Sequence, residues 1–317
     1  MTKDFLSIFD ITAHELEELF VLTDALKADP GRRPLYGKTA ALIFQKPSLR
    51  TRVSFEVGIY QLGGHPVFLS QESIGLGRRE PASDVAKLLS RYNDLIVTRL
   101  FEHSLLLDLA ASATIPVINA LTDLSHPCQV LADMYTLRQR GRLKKRMKVA
   151  FIGDGNNVAN SWLEACALYP IHFVLAAPEG YEPNQQTLRQ AQHAGVSTIE
   201  IVRDPAAASK DADLIYTDVW TSMGQEGEAE KRLRDFNGYQ VNETLLALAK
   251  PDCLVMHCLP AHRGEEVSDQ VLDSERSIIF DQAENRLHVQ KAIMTKLIET
   301  HHKKNKSDGK AQALHRA

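Results

Sequence analysis

Cysteine is scarce in this chain and shows no pairing pattern. Cys128, Cys166, Cys253 and Cys258 are the four in 317 residues, and none forms a C-x-x-C pair. That argues against a disulfide scaffold and for reduced thiols in a cytoplasmic compartment. Long apolar runs are missing, and no stretch approaches the ~18 residues that a membrane span needs. The opening M-T-K-D-F-L-S-I-F-D lacks the apolar centre of a secretory signal. A basic excess is missing too: the formal net charge of -3 argues against a general nucleic-acid binder. Any anion site must therefore be local. No internal repeat is visible.

What is present is an ordinary soluble composition, 44% hydrophobic and 24% charged, on a chain long enough for two cores. Thr12-Ala13-His14-Glu15 fits a capping box, followed by Leu16, Leu19, Phe20 and Leu26 at helical spacing. Short apolar runs then alternate with amphipathic stretches. Strands are predicted over 39–44, 66–69, 95–98 and 115–118, with helices over 81–92 and from His126 to Arg138. The basic run Gln139–Arg146 reads as a solvated linker. After it the alternation restarts, with strands over 147–153, 171–176, 197–202, 214–217, 253–257 and 277–280 and a helix over 157–168. Strand-helix alternation repeated twice predicts two doubly wound, parallel-sheet α/β domains. The expected division is 1–142 and 143–283, with a late helix over about 284–300 and a polar, mobile tail over 301–317.

In parallel α/β sheets, ligands bind beyond the carboxyl ends of the strands. Six stretches sit there. The first is K-P-S-L-R-T-R, residues 46–52. Pro47 ends the strand, Ser48 caps a helix, and Leu49, Val53, Val57 and Tyr60 fall on one helical face. A helix N-terminus attracts phosphate, and Arg50, Thr51 and Arg52 add donors. The second is Arg99 at the end of its strand. The third is His126-Pro127-Cys128-Gln129. The fourth, Gly153-Asp154-Gly155-Asn156-Asn157, imitates a dinucleotide fingerprint, but Val158 occupies the third glycine position. A tight turn fits it better, with Asn156 and Asn157 open to a polar ligand. On this pattern alone rests the reading of a nucleotide-dependent oxidoreductase. The fifth is Asp218-Val219-Trp220-Thr221-Ser222-Met223-Gly224, where a carboxylate suits an amino group. The sixth is His257-Cys258-Leu259-Pro260-Ala261-His262. Strand alternation would put Cys253 and His257 on one face and Cys258 on the other, which argues against a metal site.

Taken in order, S-L-R-T-R at 48–52, H-P-C-Q at 126–129, D-V-W-T-S-M-G at 218–224, H-C-L-P at 257–260 and D-Q-A-E-N-R at 281–286 resemble the aspartate/ornithine carbamoyltransferases, and the ornithine enzymes most closely. The resemblance covers nearly the whole chain. It implies a carbamoyl phosphate-binding domain, then an ornithine-binding domain, with the last helix returning to the first. It implies a homotrimer or an assembly of trimers with no metal and no cofactor. Ser48, Leu49 (through its backbone), Arg50 and Thr51 resemble the phosphate cradle. Arg99, His126 and Gln129 resemble the carbamoyl end, and Arg286 the arginine that closes it. Asn157, Asp218, Ser222 and Met223 resemble the ornithine-binding set. Cys258 and Leu259 fall where both substrates are met, and the Leu259–Pro260 bond is expected to be cis.

S-M-G after Asp218 resembles ornithine enzymes rather than those acting on acetylornithine, putrescine or aspartate. The chain also departs from the family. Leu49 stands where many members have Thr, and Gly75 where relatives carry a Gln or His that reaches a neighbouring subunit. Gly75 is the one feature favouring a non-catalytic homologue. The implied reaction joins carbamoyl phosphate and the δ-amino group of L-ornithine into citrulline and phosphate, with negative charge growing on the carbonyl oxygen and the leaving group. It needs fixed positive charge at both places.

Overall fold

The computed structural model describes residues 3–221 and 226–314. It divides into two compact units. One runs up to Asp123 and resumes at Arg286; the other is Leu124–Asn285.

In the first unit four parallel strands, β1 (Thr39–Phe44), β2 (His65–Ser70), β3 (Leu95–Arg99) and β4 (Val117–Leu121), lie in the order β2-β1-β3-β4. β1 and β3 are central and buried nearly throughout, as continuous apolar runs should be. β2 is an edge and has no fully buried residue. The longer helices before Asp123 are α1 (Ala13–Ala28), α2 (Leu49–Gln61), α3 (Ala82–Tyr92) and α4 (His103–Ser112). α1 begins with the expected capping box: Glu15 N donates to Thr12 Oγ1 at 3.2 Å and Thr12 N to Glu15 Oε2 at 2.9 Å. The chain order reverses between β1 and β3, so the residues following these two strands share the sheet's switch point.

The second unit repeats the plan. Its parallel strands are β5 (Lys148–Ile152), β6 (His172–Ala176), β7 (Thr198–Val202), β8 (Leu214–Thr217) and β9 (Leu254–His257), in the order β7-β6-β5-β8-β9. Here the switch point falls between β5 and β8. The longer helices are α5 (Pro127–Gln139), α6 (Asn157–Cys166), α7 (Gln185–Ala194), α8 (Ala229–Asp235) and α9 (Glu243–Leu248).

α10 (Ile279–Leu314) begins earlier than expected and occupies most of the segment read as a tail. The strand expected at 277–280 is absent. Only Ser277 bridges Val255, and Ile279 already opens the helix. A short apolar run such as S-I-I-F does not separate a strand from the first turn of a helix. The other expected strands are present close to their predicted bounds. α5 is part of the second compact unit. Buried polar contacts hold it there. Gln282 Nε2 donates to Asp133 Oδ1 at 2.8 Å, beside the donation of Gln129 Nε2 within the helix, and Asn285 Nδ2 donates to Thr136 Oγ1 at 3.0 Å.

The face of α2 that carries Leu49, Val53, Val57 and Tyr60 is the exposed one. Leu49 and Tyr60 are 75% and 76% exposed, and Val53 and Val57 are exposed as well. The helix instead buries Thr51, Phe55, Gly58 and Ile59. Gly58 decides this. A Cβ there would stand 3.3 Å from Lys291 Cγ and 3.4 Å from Leu287 Cδ1 and Met294 Cε, so the glycine lets α10 approach along that side.

Candidate active site

In the first unit, the expected Ser48 cap forms, and its hydroxyl accepts from Thr51 N at 3.2 Å. Leu49 opens α2, with its backbone at the helix N-terminus. Thr51 is 1% exposed, and its hydroxyl oxygen accepts from two guanidinium groups. Arg99 Nη1 lies 3.4 Å from it and Arg286 Nη2 3.2 Å. Arg99 reaches it from the end of β3, where pairing with β4 shifts register between Thr98 and Arg99. Such a bulge re-aims a side chain. Arg286 comes from α10, steadied by Gln290 Oε1 at 3.1 Å from its Nε. Two like charges on one neutral oxygen at a helix N-terminus make a strong anion site.

Arg50 and Arg52 separate as their positions on the helix require. Arg52 Nε donates to Glu56 Oε1 at 3.0 Å and its guanidinium lies 3.6 Å from the centre of the Phe68 ring. Arg50 is half-buried and makes no hydrogen bond or ion pair among the described residues. Gly75 is left-handed at φ 66° and closes a tight turn in which Arg78 N and Arg79 N donate to its carbonyl at 2.9 and 2.7 Å. Arg79 faces Glu80, 3.6 Å away.

In the second unit, β8 and β9 run side by side, with Thr217 paired to His257. The next residues, Asp218 and Cys258, therefore meet: Cys258 Sγ donates to Asp218 Oδ1 at 2.8 Å. Asp218 is 6% exposed and also accepts from Val219 N at 2.8 Å and from Asn156 Nδ2 at 2.7 Å. Asn157 opens α6 beside it. His126 and Gln129 lie at the start of α5 and are buried. His126 N donates to Ser161 Oγ at 2.8 Å. Ser222 and Met223 lie outside the described residues.

Beyond Cys258 the Leu259–Pro260 bond is cis and Leu259 is left-handed at φ 59°, a conformation leucine rarely adopts. His257 holds this turn. Its Nδ1 accepts from Leu259 N at 2.9 Å, so its proton sits on Nε2, 3.1 Å from the fully buried Glu266 Oε1. Strand alternation does not separate His257 from Cys258: donor atoms of Asp218, His257 and Cys258 lie within 4.8 Å of one another. Both ring nitrogens of His257 and the thiol are committed to protein partners, so the group works as a hydrogen-bonded scaffold. His257 N also donates to Gln282 Oε1 at 3.1 Å, and Gln282 Nε2 lies 3.0 Å from the Tyr216 hydroxyl. Burial holds the Tyr216 phenol far above its ordinary range. Gln282 and Asn285 of D-Q-A-E-N-R are thus structural, and Arg286 alone turns to the Thr51 cluster.

The fingerprint-like turn has its own explanation. A Cβ on Gly155 would stand 2.3 Å from Pro183 N, 2.5 Å from the Glu182 carbonyl carbon and 2.7 Å from Tyr181 O. The close approach this glycine permits is to the chain's own backbone, where a dinucleotide would need the space for a pyrophosphate. Asp154 is buried and pairs with Arg232 Nη1 at 2.7 Å, which also reaches Trp220 O at 2.8 Å. The sequence reading missed Arg232 and Glu266 as supports. Asp154 and Trp220 are remote from Arg232 in the chain, His257 reaches Glu266 from the end of β9, and no motif marks either residue.

Two family models match this chain. The carbamoyl-P binding domain of aspartate/ornithine carbamoyltransferases matches residues 3–139, and the Asp/Orn binding domain matches residues 145–297. An ornithine carbamoyltransferase of Chlorobaculum tepidum is 55% identical over 303 residues, covering 93% of this chain and 90% of that one. The structure of the ornithine carbamoyltransferase from Pyrococcus furiosus superposes with a TM-score of 0.87 at 49% identity, over 92% of this chain and 95% of that one. The anabolic ornithine carbamoyltransferase from Campylobacter jejuni gives a TM-score of 0.90 at 37% identity, over 94% of this chain and 99% of that one. The chain belongs to the aspartate/ornithine carbamoyltransferase family.

Proposed function

We infer that this chain transfers the carbamoyl group of carbamoyl phosphate to the δ-amino group of L-ornithine, giving L-citrulline and phosphate. One observation carries the phosphate half: two buried guanidinium groups, from Arg99 and Arg286, meet at the Thr51 hydroxyl beside the N-terminus of α2. In this reading the backbone at Leu49, the Ser48 and Thr51 hydroxyls, and the Arg50 side chain hold the phosphate oxygens. Arg99 and Arg286 neutralise charge as the leaving group departs. His126 and Gln129 serve the carbamoyl end, and His126 with Arg99 stabilises the oxyanion.

Asp218 orients the incoming amine, with Asn157, Ser222 and Met223 completing the ornithine set. Cys258 and Leu259 line the reacting centre. A carboxylate at Asp218 suits a cationic amino acid and repels an aspartate side chain. The neutral amine attacks the carbonyl carbon, a tetrahedral intermediate forms, and the carbon–oxygen bond to phosphate breaks as one amine proton passes to the departing phosphate. Alignment and fixed positive charge suffice for this, and the reaction needs no metal, cofactor or covalent enzyme intermediate.

The proposal includes a homotrimer or an assembly of trimers. The exposed apolar side chains of Leu49, Val53, Val57 and Tyr60 along α2 give it a face to cover. Free thiols at all four cysteines suit a reducing cytoplasm. The experiment is a steady-state assay with ornithine, acetylornithine, putrescine and aspartate as acceptors, alongside mass measurement in solution. Turnover with ornithine is expected. Turnover only with another acceptor would reassign the substrate, and a monomer would remove the trimer.

A further inference from the structure

Asn156 is the N-cap of α6, and both ends of its amide are occupied. Oδ1 accepts from Val158 N at 2.9 Å and from Ala159 N at 3.2 Å. Two backbone donors fix which end is oxygen, so the amino end is the one that meets Asp218 Oδ2 at 2.7 Å. The sheet dictates this meeting. β5 and β8 pair with Ile152 opposite Thr217, and the residues that follow them share the switch point of the second unit.

A carboxylate offers about four acceptor positions. Among the described residues, three at Asp218 are filled: by Asn156 Nδ2, Val219 N and Cys258 Sγ. One is left. The terminal torsion of an aspartate is soft, so a carboxylate held on one oxygen alone would turn. Donors on both oxygens fix the plane, and with it the direction of the remaining acceptor position.

We propose that Asn156 is the positioning residue for Asp218: its one amide ties the start of α6 to the carboxylate and aims the last acceptor position at the substrate amine. This rests on the reading of Asp218 as the amine ligand. Asn156 itself touches no substrate in this role. It also ties Asn157, the first residue of α6, to Asp218, so two members of the ornithine set move together.

The test separates capping from aiming. Serine is as good a cap as asparagine but is too short to reach Asp218. Asn156→Ser should keep the melting temperature, lower kcat/KM for ornithine about ten- to a hundredfold, and leave KM for carbamoyl phosphate near wild type. Asn156→Ala should show the same kinetic loss with a lower melting temperature. With Asp218→Asn in the background, Asn156→Ser should cost nothing further. Normal ornithine kinetics in Asn156→Ser beside an impaired Asp218→Asn would overturn the positioning role alone. So would kinetic losses that follow the melting temperature, or losses that add in the double variant. Unchanged ornithine kinetics in Asp218→Asn would overturn the reading of Asp218 and this role with it.

Discussion

Thr51 and Arg286 are 235 residues apart in the chain and hydrogen-bonded at 3.2 Å, in the same compact unit. The hydroxyl that receives Arg286 also receives Arg99. Removing it leaves two buried cations without their common acceptor. Thr51→Val keeps the shape of the side chain. It should raise KM for carbamoyl phosphate about tenfold or more, at the cost expected for unsatisfied buried donors. KM for ornithine should stay close to wild type. A variant with normal carbamoyl phosphate kinetics would show that the hydroxyl organises nothing.

Gly155 is held by the segment 181–183 of its own chain. Its N donates to Tyr181 O at 2.9 Å, and a Cβ would fall 2.3 Å from Pro183 N, a backbone atom that has no rotamer to yield. Gly155→Ala should cost about 3 kcal/mol or more, or fail to accumulate as folded protein. Gly141, with nothing within 4 Å of a built Cβ but φ at 67°, is the comparison. Alanine there should cost only about 1 kcal/mol, from backbone strain. Thermal unfolding of the two variants side by side checks the difference.

The strands were legible because buried parallel strands are short apolar runs bounded by turns, and the residues after them follow from the topology. Asp218 and Arg99 were found that way, and Ser48 by its capping chemistry. Two apolar stripes run along α2, and the sequence alone does not say which of them is buried. Only the approach of α10 at Gly58 selects one of them, and that contact is remote in sequence. The tight turn read at 153–155 is present, but the group that needs the space at Gly155, residues 181–183, is again remote in sequence. Arg232 and Glu266 sit among ordinary surface-type residues, and only burial reveals them.

The cysteines give a chemical test. Burial pushes the thiols of Cys166 and Cys253 up to about 12, and Cys128 is fully buried. Cys258 is only half-buried. Because the thiolate is the reacting form, an alkylating reagent near neutral pH should modify Cys258 first and the other three only on unfolding. Peptide mapping by mass spectrometry reads this directly, and Cys258→Ser should abolish the early label. Early modification of Cys128, Cys166 or Cys253 in the folded protein would contradict the burial seen here.

The Arg232–Asp154 pair predicts a stability that depends on pH. Burial raises the Asp154 carboxyl from its ordinary 3.8, and the bond and charge of Arg232 oppose that rise. Arg232→Met fills similar space but leaves a buried carboxylate uncompensated, at about 3–5 kcal/mol near neutral pH. The folded-state pKa of Asp154 then climbs further above its unfolded value. A carboxyl shifted upward favours folding when protonated, so the deficit is full above the folded pKa and shrinks as pH falls through it toward 3.8. Denaturant unfolding of Arg232→Met and the parent across the acid range should therefore give curves that converge on acidification. The double variant Arg232→Met/Asp154→Asn should recover much of the loss near neutral pH. Parallel curves would mean that the arginine stabilises through packing on Tyr181, whose ring centre lies 5.0 Å from the guanidinium, and not through its charge.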